Sequence, residues 1–344
     1  MAERMAAQPR SRERPGILDR YSALVITVAS ALWAADAFFR PALVQQGLSA
    51  SQIVLVEDLL ISLCLVPVAR RAWRELRKAS WRTWLVLAVI AAGPQAFATV
   101  LFTRSIGYAY TVPAAQSGGV LSEVYLLYLL QPIFGATLAW LILRERRRRS
   151  FWLLAALALA GAALIVFSTN AVAPQAQIQA ALFVLGAVAL WGAGTVMGRY
   201  ALADVSFTST AAARFMLALP ILLVLMLTDR GVAGLGQYSA GQLPSFLGIA
   251  LIPGVIAMTL YYRALSSTPA SVSSFAELGY PAALFLIFSL PKPVGYGTPL
   301  QPLELLGALL LIVAVTRLNV LMRRDVVRAP RPRLLRAAPD GGSE

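Results

Sequence analysis

The stretch IAAGPQAFATVLFTR at residues 90–104 returns as IALIPGVIAMTLYYR at residues 249–263, and that return decides the fold. A shift of 159 residues places Ile90, Ala91, Pro94, Ala98, Leu101 and Arg104 on Ile249, Ala250, Pro253, Ala257, Leu260 and Arg263. A shift of 158 places Ala31-Leu32-Trp33 on Ala189-Leu190-Trp191. The apolar runs around these residues are the first, third, sixth and eighth in the chain, so the repeated unit is five runs long. If each run crosses a membrane, an odd number of crossings starts the second copy on the opposite face. The repeat is then inverted, with a pseudo-two-fold axis in the membrane plane. Such repeats are typical of secondary transporters, whose substrate site lies near the midplane between the copies.

Composition requires the membrane. Hydrophobic residues make up 58% of the 344 and charged residues 13%, about half the share of roughly 25% in a soluble domain. A spanning helix needs about 20 mainly apolar residues. Ten such stretches occur, at 22–39, 52–69, 83–103, 120–143, 151–168, 179–198, 209–228, 245–262, 270–290 and 303–321. The expected fold is therefore an all-α membrane protein of ten transmembrane helices, built as two inverted five-helix repeats at 22–168 and 179–321. Basic tails at 1–21 and 322–344, rich in Arg, Pro, Ala and Gly, are expected to be disordered. Ala29-Ser30-Ala31 resembles a signal-peptide cleavage site, but its apolar run continues to Phe39 and its features recur later, which argues for a retained span.

The basic residues alternate between connections. Arg70, Arg71, Arg74, Arg77, Lys78 and Arg82 follow the second span, and Arg144 with Arg146 to Arg149 follow the fourth, whereas Val44 to Ser51 and Ser168 to Ile178 carry no charge. The positive-inside rule puts both termini in the cytoplasm. The net charge of +14 is what that orientation requires, so nucleic acid is not an expected partner. With no His and a single Cys, Cys64, the chain has no Ser-His-Asp triad, no Cys-His pair and no His/Cys zinc site. It also lacks a G-x-x-x-x-G-K-[ST] loop for ATP. No cofactor or metal is expected.

Three runs carry a resemblance. Leu260-Tyr261-Tyr262-Arg263-Ala264-Leu265, Gln131-Pro132-Ile133-Phe134-Gly135 closing at Leu143-Arg144-Glu145, and Glu304-Leu305-Leu306-Gly307-Ala308-Leu309-Leu310 resemble the EamA-type drug/metabolite transporter superfamily over about residues 22–321. The resemblance implies a ten-helix bacterial inner-membrane carrier with a central cavity, an exporter of small metabolites, amino acids or drugs. Two departures stand out. The interval from Arg104 to Pro132 is ten residues longer than that from Arg263 to Pro281, and Leu290-Pro291-Lys292-Pro293 replaces a Glu at the close of span nine. The extra residues are expected to form an outer lid over the cavity, a helix extension or a neutral loop.

Ionisable residues inside spans cost about 2.5–3.5 kcal/mol each and usually face a cavity or a partner. Asp36, Arg40, Glu57, Asp58, Arg104 and Glu123 fall in the outer third of the first repeat; Arg199, Arg214, Arg263 and Glu277 fall in the inner third of the second. Asp36, Arg40, Arg104 and Arg263 are gate candidates, closed by carboxylate–Arg pairs, although Arg40, Arg104, Arg199 and Arg263 also suit snorkelling anchors. Glu123, Glu277, Glu57, Asp58, Arg214, Trp33 and Trp191 are candidates for a substrate or proton pathway. Burial favours the protonated form of an acid, so Glu123 or Glu277 is expected to exchange a proton for substrate. Glu57 and Asp58 lie about 100° apart on a helix, so at most one of them is expected to point squarely into a cavity, and one is expected to pair locally. Trp33 and Trp191 either wall a pocket or simply pack. Pro94, Pro132, Pro220, Pro253 and Pro281 serve as hinges or as ordinary kinks. Expected partners are the lipid bilayer, a small-molecule substrate, coupling protons and a second copy in a homodimer. A polytopic membrane enzyme acting on lipid-linked substrates and a non-transporting membrane subunit are the rival readings.

Overall fold

The structure is a computed structural model that describes residues 22–131, 133–135, 137–138, 149–168, 174–201, 204–265, 279–292, 294–297 and 301–328. Among these, all regular structure is helical, as hydrocarbon demands of a backbone that must satisfy its own hydrogen bonds. The first half contains α1 (Ser22–Trp33), α2 (Asp36–Gln45), α3 (Ala50–Leu76), α4 (Trp81–Ile90), a π-helical segment (Ala91–Phe97), α5 (Ala98–Tyr108) and α6 (Ala114–Leu127), followed by α7 (Arg149–Ser168). The second contains α8 (Pro174–Ala201), α9 (Phe207–Arg230), α10 (Leu243–Ile249), a second π-helical segment (Ala250–Ala257), α11 (Met258–Leu265), α12 (Gly279–Ser289) and α13 (Pro302–Arg328).

Six helical stretches among the described residues are long and apolar enough to cross a membrane: Leu24–Gln45, Ala50–Leu76, Trp81–Tyr108, Gln175–Gly194, Phe207–Arg230 and Ala240–Tyr261. Shorter apolar helices lie at Arg149–Leu164 and Pro302–Ala314. The expected spans at 120–143 and 270–290 run partly outside the described residues.

Three helices begin on serine caps. Ser49 caps α3 by accepting from Gln52 N at 3.4 Å, and Gln52 Oε1 in turn accepts from Ser49 N at 2.8 Å. Ser80 and Ser206 cap α4 and α9 in the same way through Thr83 N and Ser209 N. The first span is not continuous. Ala34, Ala35, Ala37 and Phe38 each donate to the residue three back, so the helix tightens immediately before Asp36. Residues 114–119, part of the extra length after Arg104, form the first turns of α6. Gly118 and Gly119 are therefore helical, and the helix extension is the form this part takes.

Helix contacts come in equivalent pairs. Helix α1 packs on α11 and the second π segment, as α8 packs on α5 and the first; α1 meets α12, as α8 meets α6. Helices α3 and α9 lie against each other, and so do α7 and α13. Two close approaches fix these crossings. A Cβ on Gly161 would stand 2.7 Å from Gly307 O between α7 and α13, and one on Gly192 would stand 2.7 Å from Gly135 N. Helices α3 and α9 are also tied at both ends. Glu75 accepts from Ser206 Oγ at 2.5 Å and from Ser209 Oγ at one end, and Asp229 accepts from Ser51 Oγ at 2.8 Å at the other. The acid at the end of each helix thus holds hydroxyls in the first turn of its neighbour. The largest apolar core contains Phe102, Ile106, Leu121, Tyr125, Val184 and Leu284.

Candidate functional site

Arg40 is 4% exposed and surrounded by partners. The tightened turn before Asp36 starts α2, which places Asp36 and Arg40 one helical turn apart. Arg40 Nε donates to Asp36 Oδ1 at 2.9 Å and to Oδ2 at 3.1 Å. Its Nη1 donates to Thr103 Oγ1 at 2.8 Å and its Nη2 to Glu57 Oε1 at 3.0 Å. Tyr125 from α6 donates to Asp36 Oδ2 at 2.9 Å. Of the four gate candidates, Asp36 and Arg40 are thus paired with each other. Asp36, Arg40 and Glu57 meet, with Thr103 and Tyr125 completing the shell.

Glu57 and Asp58 are both buried, and each is paired locally, Glu57 with Arg40 and Asp58 with Gln95. Their 100° separation sends them to different elements. Glu57 reaches α2, and Asp58 reaches the first π segment, where Gln95 Nε2 donates to Asp58 Oδ1 at 2.8 Å. Gln95 Oε1 accepts Arg214 Nε from α9 at 2.6 Å. Arg214, expected in a separate inner cluster, is therefore joined to the first-half acids.

Glu123 stands apart from this network. It is fully buried on α6, and neither of its oxygens meets a hydrogen-bond partner among the described residues. Beside it Ser122 Oγ donates to Glu304 Oε1, and Gln301 N donates to Glu304 Oε2 at 3.2 Å. Arg104 does not join the Asp36–Arg40–Glu57 cluster. Its side chain is 52% exposed and lies 3.6 Å from Asp229, because depth along a span does not fix which way a residue faces. Arg263 is exposed. Glu277 and the side chain of Arg199 lie outside the described residues.

The two tryptophans head an aromatic cluster. Trp33 lies on Tyr261 with ring centroids 4.8 Å apart, and Trp191 on Phe102 at 5.4 Å and Tyr128 at 5.3 Å. Tyr128 continues to Tyr280 at 5.0 Å, and Phe102 to Tyr125 at 5.4 Å. Tyr125 therefore belongs to both systems: its ring to the aromatic cluster and its hydroxyl to Asp36.

Sequence reading missed Gln95, Thr103, Tyr125, Glu304 and Asp229. Only Gln95 and Glu304 left a signal: a polar amide directly after Pro94 within an apolar span, and an acid at the head of the last one.

The profile of the EamA-like transporter family matches residues 20–167 and 178–320. The riboflavin transporter ImpX of Fusobacterium nucleatum is 30% identical over 204 residues, covering 58% of this chain and 67% of that protein. The uncharacterized transporter YwfM of Bacillus subtilis is 25% identical over 254 residues, 73% of this chain and 78% of that one. A solved crystal structure at 17% identity covers 89% of this chain and 98% of its own, with a TM-score of 0.53, and shares the fold.

Proposed function

The chain belongs to the EamA-like transporter family and is a membrane transporter rather than an enzyme, and we propose that it exports a small organic metabolite by alternating access. In this reading ten spans form two inverted five-helix repeats, at 22–168 and 179–321, in the bacterial inner membrane with both termini in the cytoplasm. Basic residues gathered at the exposed end of α3 support that orientation. Protons drive the cycle through the buried acids Glu57, Asp58 and Glu123, with Arg40 beside Glu57 and Arg214 linked to Asp58 through Gln95.

The observation that carries the reading is an exchange of contacts between the halves. Trp33 packs on Tyr261, and the shifts of 158 and 159 residues that carry Trp33 to Trp191 and Phe102 to Tyr261 turn that pair into Trp191 on Phe102. The same 159-residue shift carries the first π segment with Pro94 onto the second with Pro253. Equivalent contacts that alternate, one parting as the other holds, would open the pathway to one side at a time. The aromatic side chains around Trp191, namely Phe102, Tyr128 and Tyr280, support a flat ring system as cargo. A relative is named for riboflavin, which makes that compound the first probe.

The test is counterflow. Purified protein in liposomes preloaded with unlabelled riboflavin, and then with each member of a panel of amino acids and aromatic cations, is given the labelled compound outside. Saturable accumulation of at least one compound is expected. Flux equal to protein-free liposomes across the panel would refute transport, and chemical conversion without movement would favour an enzyme.

A further inference from the structure

Asp58 is fully buried, and its two oxygens have different surroundings. Oδ1 accepts Gln95 Nε2 at 2.8 Å, whereas Oδ2 meets no hydrogen-bond partner among the described residues. Gln95 turns its other side-chain atom to the second half of the chain, where Oε1 accepts Arg214 Nε at 2.6 Å. The amide is oriented from both ends, because only its carbonyl can receive a guanidinium and only its NH2 can serve a carboxylate. Acid, amide and guanidinium form a row drawn from α3, the first π segment and α9. π segments inside α-helices are frequent at functional positions, and Gln95 sits in this one immediately after Pro94.

We propose that Asp58 Oδ2 binds one exchangeable proton and that Gln95 conveys its presence to Arg214, so that proton binding loosens the first half of the chain from the second.

Charge balance supports a single proton. The charged groups that act on Asp58 are Glu57 beside it on α3, Arg40 on α2 and Arg214 on α9. Arg40 already serves Asp36 and Glu57. Asp36, Glu57 and Asp58 therefore outnumber Arg40 and Arg214 by one acid, and an uncompensated charge is costly inside a bilayer. A proton on Oδ2 makes the set neutral. A metal ion does not suit the place, since hard cations need about six oxygen ligands and no group of three or more acidic, His or Cys side chains that could hold one occurs among the described residues. Glu123 is buried as deeply, but among the described residues it makes no hydrogen bond through which its protonation could be felt elsewhere.

The coupling follows from the bonds. With Asp58 ionised, Gln95 joins a negative group to a positive one, and both of its bonds are charge-assisted. Once Oδ2 takes a proton, Oδ1 is the carbonyl oxygen of a neutral acid. The bond from Gln95 then loses the charge that made it roughly twice as strong as a neutral one. Arg214 keeps only a neutral amide carbonyl. Helix α9 packs on α3 and on the π segment, so the motion this releases lies between the halves.

The proposal rests on the transport reading for its purpose, but its test does not. The full chain, with Cys64→Ser, receives spin labels at Arg82→Cys and Thr208→Cys, two exposed positions near the starts of α4 and α9. The distance between labels is measured by electron paramagnetic resonance in lipid nanodiscs at mildly acidic and mildly alkaline pH. The parent is expected to shift between two distances. Asp58→Asn is expected to show the acidic-pH distance at both, and so is Gln95→Leu, which carries the test if Asp58→Asn does not fold. A parent without a shift, or a shift that survives in either variant, overturns the proposal. A pH shift without solute flux would sink the transport reading and leave the proton site standing. Flux with pH-independent distances would do the reverse.

Discussion

Trp33 and Tyr261 lie ring against ring, 4.8 Å between centroids and tilted by 47°, although 228 residues separate them in the chain. Trp191 and Phe102 repeat the relationship at 5.4 Å and 55°. Each tryptophan belongs to one half and its partner to the other, so neither half completes its own aromatic wall.

Arg40→Met leaves Asp36 and Glu57 buried beside each other without their counter-charge. Removing one partner of a buried ion pair costs about 3–5 kcal/mol. The expected result is a large drop in thermal stability in detergent, with part of the loss restored when Glu57→Gln is added. Equal stability of the single and double variants would mean that the pairing contributes little.

Thr103→Val removes the hydroxyl that receives Arg40 Nη1 and keeps the shape of the side chain. A hydrogen bond to a charged group contributes about 1.5–3 kcal/mol, so a melting shift smaller than that of Arg40→Met is expected. A loss as large as that of Arg40→Met would show that the hydroxyl does more than accept this bond.

Gly161→Ala puts a methyl group against the backbone of Gly307, and overpacking of this kind costs about 1–3 kcal/mol. Gly198→Ala meets nothing within 4 Å and serves as the comparison. The first variant should melt well below the second. Matching melting curves would show that α7 and α13 part without cost.

Orientation is tested by thiol labelling in a Cys64→Ser background. Gln45→Cys and Gln175→Cys should react with a membrane-impermeant maleimide in intact cells, and Arg77→Cys only after permeabilisation. Labelling of Arg77→Cys from outside would reverse the topology.

Much of the fold was legible because a bilayer writes it into the chain: apolar runs of spanning length, charge between them, and a return of the same residues after 159 positions. The buried acids were legible one by one, since each stands out in an apolar run. Their partners were not. Depth follows from position along a span, but direction depends on how neighbouring helices turn, so Arg104 shares a depth with Glu123 yet faces Asp229. Arg40 finds Glu57 only because the connection after Gln45 folds α3 back against α2. Gln95 escaped notice because it carries no charge and matches Gly254 under the repeat, leaving no symmetric signal.

Alternation of the two halves can be tested by joining them. In a Cys64→Ser background, Trp33→Cys with Tyr261→Cys, and separately Trp191→Cys with Phe102→Cys, are linked by a short bifunctional thiol reagent whose spacer is reductively cleavable. Riboflavin and panel counterflow is then followed in liposomes. Either link should stop flux, and cleavage should restore it to the rate of the unlinked variant. Undiminished flux with both pairs linked would mean that these contacts never part, and that transport does not proceed by exchange between the halves.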